Sequence, residues 1–420
     1  MKVLVVGSGA REHALVRALR RDDSVEQVLA APGNAGMIRD LGADSVFGLD
    51  VHDRDAVAAL AREQEVDLVV VGPEGPLVAG VADAVREVGI ACFGPSAEAA
   101  RLEGSKAFAK AVMAAADVPT AMAHVCTTVD EVTAALDQFG APYVVKDDGL
   151  AAGKGVVVTD SREDAVAHAR VCLAGPGAKV VIEEYLDGPE VSLFAVTDGR
   201  TVVPLIPAQD YKRVGDGDAG PNTGGMGAYS PLPWAPADVV EQVRDRVLVP
   251  VVDEMQRRGT PFAGLLYAGL ALTSRGLRVI EFNARFGDPE TQVVLALLRT
   301  PLAGLLQAAA LGKLDTVAPL AWGKGAAVTV VIAAENYPGT PRTGDPIVGI
   351  DAADALTDVD VFHAGTRLGE HGDVVSSGGR VLSVTAVGTD VEAARSRAYE
   401  AVALIDLPGS HHRSDIALLA

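Results

Sequence analysis

Lys146-Asp-Asp-Gly-Leu-Ala-Ala-Gly-Lys-Gly155 lies between two apolar, β-branched runs, Tyr143 to Lys146 and Val156 to Thr159. A glycine-dense loop with a lysine reads as a phosphate cradle, but its spacing is not that of a Walker loop. The Walker pattern has four residues between its glycines, a hydroxyl residue after Gly-Lys, and a helix behind it. Here only Leu150, Ala151 and Ala152 separate Gly149 from Gly153, Gly155 follows Lys154, and Val156-Val-Val158 continues as a strand. A phosphate cradle that is also a strand-to-strand turn is a hairpin flap over a nucleotide. On the entering strand Lys146 shares a face with Val144, while Val145 points away. An ammonium on that apolar face needs a counter-charge, and a nucleotide phosphate would supply one. A purely structural hairpin is the plain alternative.

Outward from the flap, the bulk numbers set bounds. The 420 residues suffice for two to four domains, and a 49% hydrophobic content with few aromatics suits an α/β protein with short Val-rich strands. A formal charge of −20 leaves no basic face for nucleic acid or an anionic membrane, although basic residues gathered locally could still hold an anionic small molecule. Cys92, Cys126 and Cys172 are odd in number and without a Cys-x-x-Cys pair, so neither a disulfide framework nor a zinc ribbon is expected, and a reducing cytoplasm fits. Met1 to Gly7 is a strand entering a glycine turn, too short in its apolar run for a signal peptide. The apolar stretch Val293 to Leu311 is broken by Arg299 and Pro301, which argues for two buried helices rather than a membrane span.

Residues 2 to 93 alternate strand-like and helix-like runs, the pattern of a parallel, doubly wound sheet. A connecting helix from Glu103 to Ala116 leads to a small α+β module with closely spaced strands and one helix, Arg162 to Cys172. Residues 188 to 320 add strands and long helices near 236 to 258 and 289 to 312, and a last unit begins near Gly325. The expected domains are 1–102, 103–188, 189–324 and 325–420.

Several motifs carry chemistry, each beside a plainer reading. Gly7-Ser-Gly9-Ala-Arg11-Glu12 opens a helix, where free N–H groups favour an anion. A dinucleotide fingerprint would have glycine at position 12 and an acidic residue closing the second strand, so nicotinamide chemistry is disfavoured. Arg11 and His13 tilt the turn toward a phosphate-bearing substrate; a bare strand-helix turn is the alternative. Glu183, Glu184 and Leu186 lead from a strand into a turn where backbone groups could read an adenine edge, and Glu190 could accept a ribose hydroxyl; a solvated acidic loop stays open. With period two, Glu281, Asn283 and Arg285 line one face, giving hard oxygen ligands for magnesium beside a fork for a transferring phosphoryl, unless the face is simply solvated. Gln209 to Arg213 and Gly220 to Ser230 bracket a glycine-dense segment; Asp210, Lys212, Asn222 and Thr223 favour a lid over a disordered excursion.

Taken together these strings resemble the glycinamide ribonucleotide synthetase (phosphoribosylamine-glycine ligase) family of the ATP-grasp superfamily. The likeness runs from end to end, through Val6 to Ala14, Ala31 to Gly36, Gly72 to Leu77, Phe93 to Ser96, Leu102 to Ala107, Asp148 to Val156, Gly220 to Pro231, Glu281 to Gln292, Val361 to Thr366 and Ser377 to Leu382. The resemblance implies an ATP-grasp fold of α/β and α+β domains, with a doubly wound N-terminal domain and a mixed α/β C-terminal one. It implies ATP-dependent joining of glycine to 5-phosphoribosylamine through a glycyl phosphate. Carried over by motif, Lys106 and Lys146 pair the ATP phosphates, and Gly149, Gly153, Lys154 and Gly155 cover them. Glu183, Glu184 and Leu186 meet adenine, Glu190 the ribose, and Glu281 and Asn283 hold Mg2+ or Mn2+. Arg285, Lys146 and Asp210 are the catalytic candidates. Gly9, Arg11, Glu12, Asn222, Thr223, Asp288 and Glu290 are the candidates for the substrate side. The resemblance also implies a cytoplasmic enzyme that could receive its amine directly from the amidotransferase making it. Other ATP-grasp ligases, carboxylases and a catalytically silent nucleotide sensor are the rivals. Asp147, where relatives have a small residue, and Ala284, often cysteine there, are the departures; alternation puts Asp147 on the face opposite Lys146.

Overall fold

The computed structural model describes residues 1–150 and 155–418. Four strands, Gln27–Pro32, Lys2–Gly7, Leu68–Val71 and Ala91–Phe93, form an all-parallel sheet in that spatial order. Val3 to Val6 are fully buried, as a strand covered by helices on both faces requires. The first strand ends in Gly7 at φ +132°, where a Cβ would come within 2.5 Å of the Glu12 side chain, so only glycine lets helix Ala10–Arg20 start there.

The flap module is a four-stranded antiparallel sheet, ordered Ala123–Cys126, Val180–Glu183, Tyr143–Asp147 and Val156–Thr159. One helix was expected here; helix Arg162–Cys172 is joined by a second, Val129–Phe139, whose Thr128 and Glu131 form a capping box. Both helices pack on one face, burying Val145 and Ile182 with Val132, Ala165 and Ala169.

A second antiparallel sheet, ordered Val202–Pro204, Glu190–Asp198, Ala263–Thr273 and Gly276–Asn283, lies across from the flap. A third, of five strands, joins Gln209–Asp210 and Gly227–Ser230 to Ala326–Ala333, Arg380–Gly388 and Val359–His363. The expected long helices are interrupted. The linker breaks at Ser105, whose hydroxyl caps helix Lys106–Ala115. The stretch near 289 to 312 divides into Glu290–Leu297 and Leu302–Ala310 around Pro301, and the one near 236 to 258 contains a π-helical turn, Arg244–Leu248. Among the described residues no helix is long and apolar enough to cross a membrane.

Candidate active site

Lys146 points, as alternation requires, away from the helices of its module and toward the four-stranded sheet opposite, where its Nζ donates to the Ile280 carbonyl at 3.2 Å. It is not left for a phosphate to pair, however. Glu183 on the neighbouring strand takes Lys146 Nζ at 2.8 Å and Lys110 Nζ at 2.9 Å, one oxygen each. This corrects one expectation: the counter-charge for Lys146 is already in the protein. The Glu183 carboxylate is committed to the two lysines, whereas the adenine expectation for this stretch rests on its backbone groups. Lys110 was not singled out in the sequence, though it lies four residues after Lys106 on the same helix face. Burial lowers its pKa, and Glu183 opposes that shift.

The flap is tied to the linker helix. Lys106 Nζ donates to the Gly149 carbonyl at 3.0 Å, and the Asp148 carboxylate accepts from the Ala107 amide at 2.7 Å and from the Ser105 hydroxyl at 3.1 Å. Asp147 N–H donates to the Gly155 carbonyl at 2.8 Å, closing the base of the hairpin. The Asp147 side chain lies on the helix side, where burial first and its charge second push the Cys172 thiol pKa up. It therefore stands away from Lys146. Gly153 and Lys154 lie outside the described residues.

Across the cleft, strand Gly276–Asn283 delivers the acidic side. Burial works to raise the Glu281 pKa, but Lys212, Lys146, Lys106 and Arg285 together outweigh it and hold the carboxyl below its ordinary value. Arg285 Nη2 donates to Asn283 Oδ1 at 3.3 Å and bridges to Glu103 at 2.9 Å, while its Nε meets Glu74 at 3.2 Å. Phe282 and Ala284 face the core on the other side. Lys212 pairs with Glu190, so the expected ribose ligand has a cationic partner in this structure. Asp210 stands beside them: burial first, then the charges of Glu290 and Glu190, push its pKa up to about 7 against the pull of Lys212. Glu290 is buried and accepts from Tyr267, a residue the sequence reading did not single out.

The remaining candidates are placed as follows. Glu184 Oε1 accepts from the Met122 amide at 3.0 Å and Oε2 from Arg275 at 2.9 Å, with half-buried Leu186 after it in the link between the two sheets. At the N-terminal turn, the Gly9 amide donates to Glu12 Oε2 at 2.6 Å, so the helix start is partly filled by the protein's own carboxylate. Arg11 pairs with Glu12 and donates to the Phe286 carbonyl at 3.0 Å, which joins this turn to the Arg285 segment. Asp288 is held at both oxygens, by Gln292 at 2.7 Å and Arg380 at 2.9 Å. The lid expectation is corrected. Residues 213–222 form a hairpin ending in Asn222, and its tip is pinned to the C-terminal segment: Asp216 accepts the Ser414 amide at 2.8 Å, and Asp218 takes Arg413 at 2.7 Å. Thr223 follows it, bonded through its hydroxyl to the Lys212 carbonyl at 2.8 Å.

Among the described residues no group of three or more His, Cys, Asp or Glu side chains could enclose a metal. Glu281 and Asn283 fit a nucleotide-borne divalent cation, which takes few protein oxygens and completes its shell with phosphate and water.

Two antiparallel sheets facing one cleft, with lysines from the flap and linker opposite carboxylates on strand Gly276–Asn283 and an arginine two residues past its end, define the ATP-grasp class. The chain belongs to the phosphoribosylglycinamide synthetase family: the profiles of its N domain, ATP-grasp (A) domain and C domain match residues 1–103, 104–291 and 327–419. A curated relative from Streptomyces coelicolor, named phosphoribosylamine–glycine ligase, is 67% identical over 100% of this chain and 99% of its own length. A protein of the same name from Mycobacterium bovis is 58% identical over 100% of this chain and 98% of its own. The crystal structure of a phosphoribosylamine–glycine ligase from Thermotoga maritima superposes with a TM-score of 0.84 at 33% identity, covering 99% of this chain and 100% of that one. A biotin carboxylase domain from Hydrogenobacter thermophilus, in complex with MgADP and bicarbonate, covers 98% of this chain and 91% of that one at 18% identity and a TM-score of 0.73, which is a likeness of fold alone.

Proposed function

We propose that this protein is a phosphoribosylamine–glycine ligase. It joins glycine to 5-phosphoribosylamine at the expense of ATP, giving glycinamide ribonucleotide, ADP and phosphate in purine biosynthesis. The observation that carries the site assignment is the meeting of Lys146, on the flap sheet, with the strand opposite at the Ile280 carbonyl, 3.2 Å away and next to Glu281, whose carboxyl is held below its ordinary value by Lys212, Lys146, Lys106 and Arg285. A chain with a net charge of −20 has gathered its cations where a polyphosphate would need them.

The glycine carboxylate attacks the γ-phosphorus and the bond to the β-bridging oxygen breaks, leaving ADP and a glycyl phosphate. The amine of phosphoribosylamine then attacks the acyl carbon, phosphate departs and the amine loses a proton. Lys106 and Lys146 are assigned to the ATP phosphates beneath the Gly149 to Gly155 loop, with Lys146 exchanging its Glu183 contact for a phosphate oxygen. Arg285 is assigned to charge on the transferring phosphoryl, and the link from Glu184 to Glu190, with Leu186, to the nucleoside. Glu281 and Asn283 would hold Mg2+ or Mn2+, which when bound neutralises and aligns phosphate oxygens. Asp210, poised to gain or lose a proton near neutrality, is assigned to the proton released by the amine. Gly9, Arg11, Glu12, Asn222, Thr223 and Asp288 are assigned to the phosphoribosylamine side. An acyl phosphate hydrolyses in water, so the chemistry calls for a cover over the cleft, the role we assign to the flap hairpin. The three free cysteines agree with a reducing cytoplasm, and we include direct hand-over of the amine from its amidotransferase in the proposal.

The test is formation of ADP by the purified protein, which should require glycine and phosphoribosylamine together and yield glycinamide ribonucleotide by mass. Brisk turnover with a different amino acid and amine and none with this pair would overturn the assignment. Bicarbonate-dependent ATP hydrolysis would replace it with a carboxylase.

A further inference from the structure

Behind Arg285, three polar side chains from three elements are joined. Glu290 opens helix Glu290–Leu297, while Tyr267 and Ser192 belong to neighbouring strands of the sheet beneath it. The Tyr267 hydroxyl donates to Glu290 Oε1; the Ser192 hydroxyl lies 3.2 Å from that same oxygen and 2.8 Å from the Tyr267 oxygen. Burial first, then the charges of Glu290 and Asp210, push the Tyr267 phenol well above its ordinary pKa, so it stays a donor at any working pH. Both hydroxyls serve Oε1. Oε2 takes no hydrogen bond from a described residue, and a Cβ at Gly287 would come 2.6 Å from it, so glycine at that position leaves its approach open. Glu290, 3% exposed, and Tyr267 both act on the charge of Arg285. Arg285, bridged to Glu103 at 2.9 Å and Glu74 at 3.2 Å, precedes the turn through Gly287, and Glu290 Oε2 lies against that same turn. A guanidinium and a half-committed carboxylate flanking one turn are complementary to a zwitterion, and neither alone would be.

We infer that Tyr267 and Ser192 are positioning residues that aim Glu290 at the ammonium group of an α-amino acid whose carboxylate lies at Arg285. The inference rests on the ligase reading and adds what in the site recognises the amino end of glycine. A carboxylic acid lacking that ammonium would leave Glu290 buried without a cation, so the arrangement selects an amino acid over a simple carboxylate.

The experiment is steady-state kinetics on Tyr267→Phe, Ser192→Ala and Glu290→Gln, with phosphoribosylamine formed in situ from ribose 5-phosphate and ammonia, and acetate as a competitive inhibitor lacking the ammonium. Tyr267→Phe should raise the KM for glycine roughly tenfold or more, the size of one hydrogen bond to a charged group, while the KM for ATP and inhibition by acetate hold. Adding it to Glu290→Gln should cost nothing further in glycine KM, because the residue acts through Glu290. The inference is overturned if the KM for phosphoribosylamine moves and that for glycine does not, if acetate inhibition weakens in step with glycine, or if the two substitutions add in full. Should Tyr267→Phe fail to fold, Ser192→Ala carries the same test with a smaller expected rise. A wild-type protein that makes no glycinamide ribonucleotide would instead remove the parent reading.

Discussion

Glu183→Gln strips the one carboxylate that two buried ammoniums share. Removing one partner of a buried ion pair costs about 3–5 kcal/mol, because the charge left behind is uncompensated. The surroundings indicate how the loss divides. Lys110 retains the Thr120 hydroxyl at 2.9 Å and the Ala121 carbonyl at 3.0 Å, so its ammonium keeps two acceptors when Glu183 is lost. Among the described residues, Lys146 then retains only the Ile280 carbonyl at 3.2 Å as a hydrogen-bond acceptor. The lower end of the range, roughly 3 kcal/mol, is therefore expected in urea unfolding. A bound triphosphate returns a counter-charge to Lys146, so ATP with magnesium should stabilise the variant more than the wild type, by roughly 1 kcal/mol at equal saturation. An unchanged unfolding midpoint would show that Glu183 is not holding buried charge. A full loss that ATP repairs no better than in the wild type would show that Lys146 does not reach the phosphates.

Three further outcomes follow from the geometry. His363 is buried against His13, Arg39 and Arg17, burial leading, and its pKa is held at about 3, below the ordinary 6.5. The unfolded chain thus takes up that proton first as pH falls, so stability should decline between pH 6.5 and about 3 by roughly 1.4 kcal/mol per unit; His363→Gln should flatten the slope measured by urea unfolding at pH 7 and 5.5. The acid limb of kcat/KM should fall near pH 7, and Glu190→Gln, which removes a charge that raises Asp210, should move it to lower pH; a limb that stays in place removes Asp210 from the titration. Asn283→Ala should raise the magnesium concentration needed for half-maximal rate with circular dichroism unchanged, and wild-type behaviour would take Asn283 out of the metal site.

Where periodicity and local chemistry coincide, the sequence was legible. The strands Leu68–Val71 and Val156–Thr159 and the helix Arg162–Cys172 have the bounds their patterns suggest. Glu281, Asn283 and Lys146 face one cleft because alternation along a strand leaves little choice. Helix Val129–Phe139 was not expected, although Thr128 and Glu131 carry a capping-box signature. Lys110 and Tyr267 could not be read out, for their meaning lies in partners 73 and 23 residues away, Glu183 and Glu290, that only the fold brings near. The hairpin at 213–222 looked loose for the same reason: Arg413 and Ser414, which fasten it, are about 200 residues downstream.

Asp148 belongs to the flap, yet the amide it satisfies, that of Ala107, belongs to the first turn of the linker helix. Lifting the loop would leave that amide without its acceptor, at a cost of about 1 kcal/mol, while the Ser105 cap of the helix stays in place. Hydrogen exchange at the Ala107 amide is consequently a built-in clock for the flap, reporting how often the cleft admits and releases nucleotide without any label on the loop.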